Sequence, residues 1–354
     1  MSVLIVCDHL SGRGGMETTI HTLFNHLKNK NVLCCVALLF SKQVDYDPSW
    51  ESGIEVIKIK SKLPSLGRKV IFIKELSRLI KARKVTRVIC TDPKIILLIK
   101  IASVFVNKKI MILSWIHFST VSQRKKYFKW LKLADKHLVI SKENFEMLKR
   151  YDEVKKAYLI HNATDEKEEI IPAPIDNCQA FLYLGRVQIE GQKQLRDMLH
   201  ALSRLELNWV LHIIGDGNDR KACMLLAEKL GIAEKITWHG WQNDSWSYII
   251  NQVKTVSALL LSSKMEGMPM VLIEAMSYGI PCISSDCKTG PSDIIVEGKN
   301  GYLYQTQDVE DFVRQLNKFS FYGVSLTRDQ IKASISDFYF KNYFEKIDKI
   351  LELD

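Results

Sequence analysis

Short apolar runs alternate with amphipathic stretches of helix length along the whole chain, and this alternation limits what the chain can fold into. Strand-like runs are predicted at residues 3–7, 32–40, 54–59, 88–91, 110–113, 137–140, 180–184, 210–214, 235–238, 256–261 and 281–284. Helical spacing occurs between most of them and again over 337–353. Strands that alternate with helices form a parallel sheet covered on both faces. We therefore predict an α/β fold built of doubly wound, Rossmann-like domains.

Two such domains are expected, because 354 residues are more than one hydrophobic core usually holds. A segment with many charges, two prolines and no periodicity lies near the middle of the chain and is typical of a linker. It predicts an N-terminal domain over 1–165, a linker over 166–178 and a C-terminal domain over 179–335. Residues 336–354 are predicted as a C-terminal helix that packs back on the N-terminal domain.

The composition is ordinary for a globular protein, with 47% hydrophobic and 25% charged residues. The eight cysteines form no Cys-x-x-Cys pair and no zinc-ligand spacing, which favours a reducing compartment. The first residues lack the basic stretch and cleavage site of a secretory signal. The apolar region 95–116 is interrupted by three lysines, so it does not match a membrane span. We expect a cytoplasmic protein.

Positive charge is concentrated in the first half of the chain. Residues 1–175 contain 31 Lys and Arg against 17 Asp and Glu, whereas the remainder contains 19 against 23. This bias predicts an anionic partner, which is nucleic acid, acidic lipid or a phosphorylated glycolipid. The cations cluster within 58–69, 81–87 and 124–129. Any one cluster is also explained as a solvated helix face, but the bias of the whole half is not.

Glu266 and Glu274 are the most informative candidate site residues. They enclose Gly-Met-Pro-Met and the apolar start of a helix, shortly after the strand-like run 256–261. In α/β proteins, ligands bind beyond the carboxyl ends of the strands, and a helix N-terminus there offers free N–H groups. Two carboxylates at such a position predict a site for a polyhydroxylated ligand such as a nucleotide sugar.

Two other loops follow predicted strands and carry groups suited to a phosphate. Arg186 and Lys193 follow the first strand of the second domain, and they match a diphosphate because arginine offers a planar fork and lysine a point charge. Gly14 and Gly15 follow the first strand of the chain and let the backbone approach a ligand. A plain strand–helix turn explains these glycines equally well. Glu17 occupies the third glycine position of the dinucleotide-binding fingerprint, which is therefore not met.

Four more candidate residues lie at or just beyond the ends of predicted strands. Ile214 and Gly215 belong to a Gly-x-Gly turn that forms either a bare turn or the floor of a slot for a nucleobase. Trp241 either borders a nucleobase or lies in the core. His117 either faces the interdomain cleft or is a structural histidine.

The segment Asp45-Tyr46-Asp47 matches an Asp-x-Asp metal-binding signature. It lies in a polar stretch beside Pro48, and no strand pair at a cleft surrounds it. We interpret it as a loop, and we predict no metal and no cofactor.

The order of these motifs resembles that of the GT-B fold glycosyltransferases, specifically the large retaining family 4. The motifs are the Gly14-Gly15 loop, His117, Arg186 with Lys193, the Gly215-Asp216-Gly217 turn, and the Glu266 and Glu274 pair. Residues 14–18, 189–193, 239–242 and 280–284 are also similar to those of family members that act on the lipopolysaccharide core. In much of the family the lysine follows the arginine by five positions, whereas here Gly191 stands there and Lys193 comes seven after.

The resemblance implies a nucleotide-binding role for five residues. Arg186 and Lys193 would bind the diphosphate of the donor. Glu274 would hold the ribose hydroxyls. Ile214 and Trp241 would border the uracil, and the turn at Gly215 would lie beside them.

The resemblance also implies which groups hold the donor sugar. Glu266 would bind it together with the backbone N–H groups of the helix start, which comprises Met268, Pro269 and Met270. His117 would reach the sugar from the other domain. Gly14 and Gly15 would complete the nucleotide-sugar site.

The implied reaction is retaining, metal-independent transfer of a hexose, most favourably galactose from UDP-galactose to a glucose of the lipopolysaccharide core. It would pass through an oxocarbenium-like state, and cations would stabilise the charge on the departing UDP. The acceptor lies on an anionic membrane surface, so the enzyme would attach peripherally to the cytoplasmic face of the bacterial inner membrane without a span.

Three alternatives stay open. The first is a transferase of another bacterial glycan that uses UDP-glucose or a UDP-N-acetylhexosamine. The second is a UDP-sugar epimerase of GT-B type, which would need acid and base groups converging on the sugar, where only His117 and Glu266 can be placed. The third is a basic nucleic-acid-binding protein, which would interleave aromatic and basic residues; Tyr127, Phe128 and Trp130 approach this pattern, but helical spacing explains them as core. We predict no nucleic-acid partner.

Overall fold

The structure is a computed structural model, and it describes residues 1–8, 10, 12, 15–40, 46–117, 126–150 and 156–353. The chain divides into two compact units. The first unit comprises Met1–Asn162 together with Phe344–Asp354, and the second comprises Ala163–Tyr343.

The first unit contains a seven-stranded sheet in the order β3-β2-β1-β4-β5-β6-β7, and every neighbouring pair is parallel. Its strands are β1 (Ser2–Cys7), β2 (Leu33–Phe40), β3 (Val56–Lys60), β4 (Arg87–Cys90), β5 (Met111–Ile116), β6 (Lys136–Val139) and β7 (Ala157–Leu159). Its helices are α1 (Gly15–Asn29), α2 (Ser65–Ala82), α3 (Pro93–Val106), α4 (Lys126–Leu131) and α5 (Lys142–Lys149).

The second unit contains a six-stranded parallel sheet in the order β10-β9-β8-β11-β12-β13. Its strands are β8 (Gln179–Leu184), β9 (Trp209–Ile214), β10 (Ile236–Gly240), β11 (Ala258–Leu261), β12 (Cys282–Ser285) and β13 (Gly301–Tyr304). Its helices are α6 (Leu195–Leu202), α7 (Arg220–Lys229), α8 (Ser245–Tyr248), α9 (Met270–Ser277), α10 (Pro291–Ile294), α11 (Val309–Tyr322) and α12 (Arg328–Ser334).

The strand order of the second sheet fixes where a ligand can bind. From β8 the chain first builds outward through β9 and β10, and then crosses back to β11 on the other side of β8. The strand order thus reverses between β8 and β11, and in sheets of this kind ligands bind in a crevice at the carboxyl ends of the strands at this point. The expected fold class, two doubly wound parallel sheets, is confirmed.

The last helix, α13 (Phe340–Leu351), begins in the second unit and ends in the first. Within the first unit, Asp348 accepts a hydrogen bond from His26 Nε2 at 2.7 Å and lies 3.1 Å from Lys30 Nζ. The His26 ring stacks on Phe344 with 3.8 Å between centroids. The part of α13 that belongs to the first unit is thus tied to α1 by both charge and ring packing.

The segment expected to act as a linker makes backbone hydrogen bonds within the second unit. Ile171 is buried, and its N–H donates to Tyr278 O at 3.0 Å. Val256 N–H donates to Pro172 O at 2.8 Å. This segment therefore packs on the second unit. The limits of the two domains and the roles assigned to them stay predictions.

Several elements were not among the sequence predictions, namely α5, β7, α8, α10, β13, α11 and α12. The strands β7 and β13 have three and four residues, too few to show an alternating pattern. The helix α11 carried a readable signal, because Asp308 caps it by accepting a hydrogen bond from Asp311 N–H at 2.9 Å. Within the described residues, no helix is both long and apolar enough to cross a membrane.

Candidate functional site

The two loops beside the crevice of the second sheet carry the residues singled out from the sequence. The loop after β8 contains Arg186 and Lys193, and the loop after β11 contains Glu266. Since β8 and β11 are hydrogen-bonded neighbours, these loops leave the same edge of the sheet side by side. Strand order alone therefore brings together residues far apart in sequence.

Lys193 and Glu266 form a direct ion pair, with 2.7 Å between Nζ and Oε1. Both side chains are largely buried, with relative exposures of 16% and 9%. A partly desolvated ion pair of this kind is held in one geometry more firmly than an exposed one. The ammonium group carries three donors, so Lys193 can keep Glu266 and still bind an anion.

The loop that carries Lys193 is fixed onto the loop after β11. Ser262 Oγ donates to Lys193 O at 2.8 Å, and Lys264 N–H donates to Gln192 O at 2.8 Å. Gln192 Nε2 donates to Met265 O at 3.2 Å. These contacts show how the altered spacing between Arg186 and the lysine is accommodated, because the longer loop folds back onto its neighbour and delivers the amine to Glu266.

Arg186 has a fixed backbone and an exposed side chain. Its carbonyl accepts a hydrogen bond from Tyr183 Oη at 2.6 Å, and Tyr183 itself is fully buried. Among the described residues, no carboxylate forms an ion pair with the Arg186 guanidinium. The residue thus presents a positive fork at the end of β8, and a diphosphate is a ligand that such a fork matches.

The ends of β8, β9 and β10 are tied together through glycines. Gly185 N–H donates to Ile214 O at 3.0 Å, and Gly215 N–H donates to Gly240 O at 2.8 Å. Gly215 has φ +133°, and a Cβ there would lie 1.9 Å from Gly185 O, so only glycine fits. The Ile214 side chain is fully buried, and its expected place beside the uracil stays a prediction.

Trp241 follows β10 and is 62% exposed. The alternative that placed this residue in the core is therefore wrong. A large exposed aromatic ring just beyond a strand end offers a face on which a planar base can stack. Its role in binding uracil stays a prediction.

Glu274 lies on the second turn of α9 and has a partner that the sequence did not reveal. Trp246 Nε1 donates to Glu274 Oε2 at 3.1 Å, and the Trp246 ring stacks on Tyr278 with 4.9 Å between centroids. Burial raises the pKa of the Glu274 carboxyl, whereas the hydrogen bond from Trp246 and the charge of Lys167 act in the opposite direction. Trp246 therefore orients the carboxylate and favours its charged form.

The start of α9 is packed tightly. Met268 and Pro269 are buried, and a Cβ on Gly290 would lie 2.4 Å from Pro269 Cδ. The expected donor set over 268–270 needs a correction, because proline has no N–H. Met268 and Met270 are the residues of this turn whose N–H groups can bind a ligand. Thr289 Oγ1 donates to Glu266 O and so anchors the adjoining loop.

A chain of hydrogen bonds connects β9, β10 and α8 close to Trp241. His212 Nδ1 and His239 Nε2 are 3.0 Å apart, and His239 Nδ1 is 3.0 Å from Tyr248 Oη. Burial lowers the pKa of both histidines, and each lies near the other. The chain keeps α8, which also carries Trp246, in a fixed position against the strands. His239 belongs to the motif 239–242, whereas no sequence pattern indicated a role for His212 or Tyr248.

His117 lies in the first unit, directly after β5. It is buried, and its ring centroid is 4.5 Å from that of Trp115. Burial lowers its pKa from 6.5 to about 3, so the imidazole is neutral at physiological pH. Its Nε2 atom has no hydrogen-bond partner among the described residues, which leaves a buried polar atom that a ligand hydroxyl can satisfy.

The glycine loop after β1 is described only in part, because Gly14 lies outside the described residues. Gly15 is the first residue of α1, and its carbonyl accepts a hydrogen bond from Thr19 Oγ1 at 2.7 Å. Glu17 Oε1 accepts from Gly12 N–H at 2.6 Å. The carboxylate at the third fingerprint position thus has a structural contact within the loop, and the binding role of both glycines stays a prediction.

The Asp-x-Asp segment begins at Asp45, which lies outside the described residues. Asp47 is described, and it caps a short 3₁₀ helix by accepting a hydrogen bond from Ser49 N–H at 2.9 Å. This local role agrees with its interpretation as a loop residue.

A family model for group 1 glycosyl transferases matches residues 165–321. The chain is 36% identical, over 99% of its length, to the lipopolysaccharide 1,6-galactosyltransferases of Escherichia coli strain K12 and Salmonella typhimurium, with 98% of each relative covered. Among solved structures, the lipopolysaccharide outer core galactosyltransferase WaaB in its apo form is similar, with a TM-score of 0.90, 35% identity and 99% coverage of both chains.

A structure of Anabaena Alr3699/HepE in complex with UDP shares the fold, with a TM-score of 0.80 at 14% identity and coverage of 99% of this chain and 100% of that one. The catalytic and binding roles of individual residues are not decided by these similarities. Family membership is decided, because relatives at 36% identity are matched along nearly the whole chain. The chain belongs to the group 1 glycosyl transferases, has the GT-B fold and is a transferase.

Proposed function

We propose that this enzyme transfers galactose from UDP-galactose to a glucose of the lipopolysaccharide core, with retention of the anomeric configuration and without a metal. The observation that carries the proposal is the ion pair between Lys193 and Glu266 at 2.7 Å, located between the two loops at the strand-order reversal. It joins a cation suited to a phosphate with a carboxylate suited to sugar hydroxyls. The activity of the two lipopolysaccharide 1,6-galactosyltransferases, which are similar over nearly the whole chain, supports galactose as the sugar.

The proposed donor site uses groups at the carboxyl edge of the second sheet. Trp241 stacks on the uracil, and Glu274 accepts hydrogen bonds from the ribose hydroxyls. Arg186 and Lys193 neutralise the diphosphate, while Glu266 and the N–H groups at the start of α9 bind the galactose. We place His117 on the donor sugar as a neutral hydrogen-bonding group, since its lowered pKa excludes a cationic role near pH 7.

In the proposed reaction, the bond between the anomeric carbon and the UDP oxygen breaks through an oxocarbenium-like state. Negative charge grows on the leaving diphosphate, where Arg186 and Lys193 stabilise it. Fixed donors aimed at developing charge contribute about 10² to 10³ in rate for each donor. The acceptor hydroxyl attacks from the face that UDP leaves, and the departing phosphate oxygen takes its proton.

The proposed location is the cytoplasmic face of the bacterial inner membrane, where the acceptor is anchored. The excess of cations in residues 1–175 supports attachment to an anionic surface, because basic segments are attracted to acidic lipid headgroups. No membrane span is needed for such attachment.

The test is transfer from UDP-galactose, UDP-glucose and UDP-N-acetylglucosamine to lipopolysaccharide truncated at its core glucose. We expect transfer of galactose with retained configuration, and no loss of rate in the presence of a chelator. A preference for another donor would refute the assignment of galactose. Interconversion of UDP-sugars without acceptor would favour an epimerase, and a chelator-sensitive rate would refute the metal-independent mechanism.

A further inference from the structure

The first turns of α2 and the residues just before them expose apolar side chains to solvent. Leu63, Leu66 and Val70 have exposures of 49%, 78% and 61%. Leu66 and Val70 are one helical turn apart, so they share a face. A Cβ on Gly67 would lie 3.1 Å from Leu63 Cδ1, which places Leu63 against the same turn. We name these three residues the α2 patch.

Cations are the charged residues of the chain segment that contains the α2 patch. Residues 56–74 contain six Lys and Arg and no Asp or Glu. Lys58 forms an ion pair with Glu51 at 2.7 Å. The other five form no ion pair with a described carboxylate; they are Lys60, Lys62, Arg68, Lys69 and Lys74. This segment thus combines exposed apolar side chains with five cations that have no carboxylate partner among the described residues.

An anionic lipid surface complements both features. Apolar residues on one face of a helix insert at the boundary between headgroups and acyl chains, while flanking lysines contact lipid phosphates. A protein partner would need an apolar site ringed by acids. We propose that the α2 patch, with its five cations, docks the protein on an anionic bilayer.

The position of α2 suits a lipid-anchored substrate. Helices that cover a parallel sheet run antiparallel to its strands, so α2 begins at the carboxyl edge of the first sheet. Docking there holds the ligand-binding edge of the first unit towards the membrane. The docking surface specifies the membrane attachment proposed above and so rests on that proposal, whereas vesicle binding tests it without any transfer reaction.

A second exposed apolar pair in the same helical layer provides a matched control. Val104 and Phe105 at the end of α3 have exposures of 73% and 74%. By the same antiparallel rule they lie at the opposite, amino edge of the first sheet. Ser77 Oγ of α2 donates to Ala102 O of α3 at 3.3 Å, so the two helices are neighbours.

The experiment measures partition of the full chain onto vesicles without nucleotide or acceptor. Vesicles of phosphatidylglycerol and phosphatidylethanolamine are compared with vesicles of phosphatidylcholine. The double variants are Leu66→Ser with Val70→Ser, Lys62→Gln with Lys69→Gln, and the control Val104→Ser with Phe105→Ser. UDP affinity and light scattering of each variant report folding and self-association.

We expect wild-type protein to bind the anionic vesicles in a salt-sensitive manner. Loss of each lysine should weaken binding about fivefold, and loss of Leu66 and Val70 should weaken it about tenfold, while the control remains unchanged. Absence of wild-type binding, or loss in the control alone, would overturn the proposal. A change in self-association without a change in vesicle binding would assign the patch to a second copy instead. A protein that binds vesicles but transfers no galactose would refute only the proposed function.

Discussion

The carboxyl edges of the two sheets are built differently. In the second unit, Lys193 and Glu266 meet as a charged pair that keeps some contact with solvent, and Arg186 is exposed beside them. In the first unit, His117 directly follows β5, and its ring is buried and neutral. A charged group is retained at an edge only where a partner compensates for its desolvation. The difference supports the proposal that the diphosphate binds to the second unit and that the first unit contributes an uncharged contact.

The largest effect on activity is expected when a charge is removed from the carboxyl edge of the second sheet. Lys193→Ala should lower kcat/KM for galactose transfer about 10² to 10³-fold, because the leaving diphosphate loses a fixed cation and Glu266 loses its partner. Steady-state kinetics on truncated lipopolysaccharide measure this. Lys264→Ala is the matched control, since this exposed neighbour contributes a backbone contact. If a folded Lys193→Ala protein kept near-normal activity, the charged pair of the second unit would not be needed for transfer, and the contrast between the two edges would have no functional meaning.

A smaller effect is expected at Glu274. Glu274→Ala should weaken UDP binding about 10 to 100-fold, because hydrogen bonds to a charged group contribute about 1.5–3 kcal/mol. The informative measurement is the ratio of affinities for UDP and 2′-deoxy-UDP by calorimetry. Wild-type protein should discriminate between them and the variant should not. Equal discrimination in both proteins would show that Glu274 does not contact the ribose.

Trp246→Phe tests whether binding at the carboxyl edge of the second sheet depends on the hydrogen bond that orients Glu274. The phenylalanine ring can still stack on Tyr278, but the donor to Glu274 is lost. UDP affinity should fall about tenfold, and discrimination against 2′-deoxy-UDP should weaken in parallel. Tyr278→Leu removes the stack and keeps the donor. If it alone reduced discrimination, packing rather than the hydrogen bond would position Glu274.

The smallest effect on rate is expected from protonation of His117 at the carboxyl edge of the first sheet. His117 has a folded pKa of about 3 against an ordinary value of 6.5, so kcat/KM should show no ionisation of this residue between about pH 5 and 8. His117→Gln should lower activity without changing the shape of the profile. Disappearance of a step near pH 6.5 in the variant would show that the ring titrates and that the two edges are not distinct in charge.

The same residue predicts how stability depends on pH. An unfolded chain binds a proton on His117 below about pH 6.5, whereas the folded chain does so only near pH 3. The contribution of the neutral His117 ring to the free energy of unfolding is therefore complete above pH 6.5. It declines by about 1.4 kcal/mol for each pH unit as pH falls from 6.5 towards 3. Urea unfolding at pH 7 and pH 5 should show a smaller loss for His117→Gln than for wild-type protein.

Much of the fold was predictable, because strand and helix periods are local properties of the sequence. The strand that contains residues 180–184 and the helix that begins at Met270 were predicted at or close to the bounds found. Short elements such as β7 were not predicted, since three residues are too few to show the period of a strand. The candidate acids were predictable because they surround a strand–loop–helix junction. The contact between Trp246 and Glu274 was not, because nothing local marks a partner 28 residues away.

The sequence by itself determined the alternation of strands and helices, the glycine turn at Gly215 and the two carboxylates of the Glu266 loop and α9, because each depends on neighbours in the chain. Only the tertiary structure decided which charges meet. Lys193 reaches Glu266 across 73 positions because β8 and β11 pair on either side of the reversal in strand order. Burial likewise decided the charge state of His117 and left Trp241 exposed, since solvent access is a property of the packed chain.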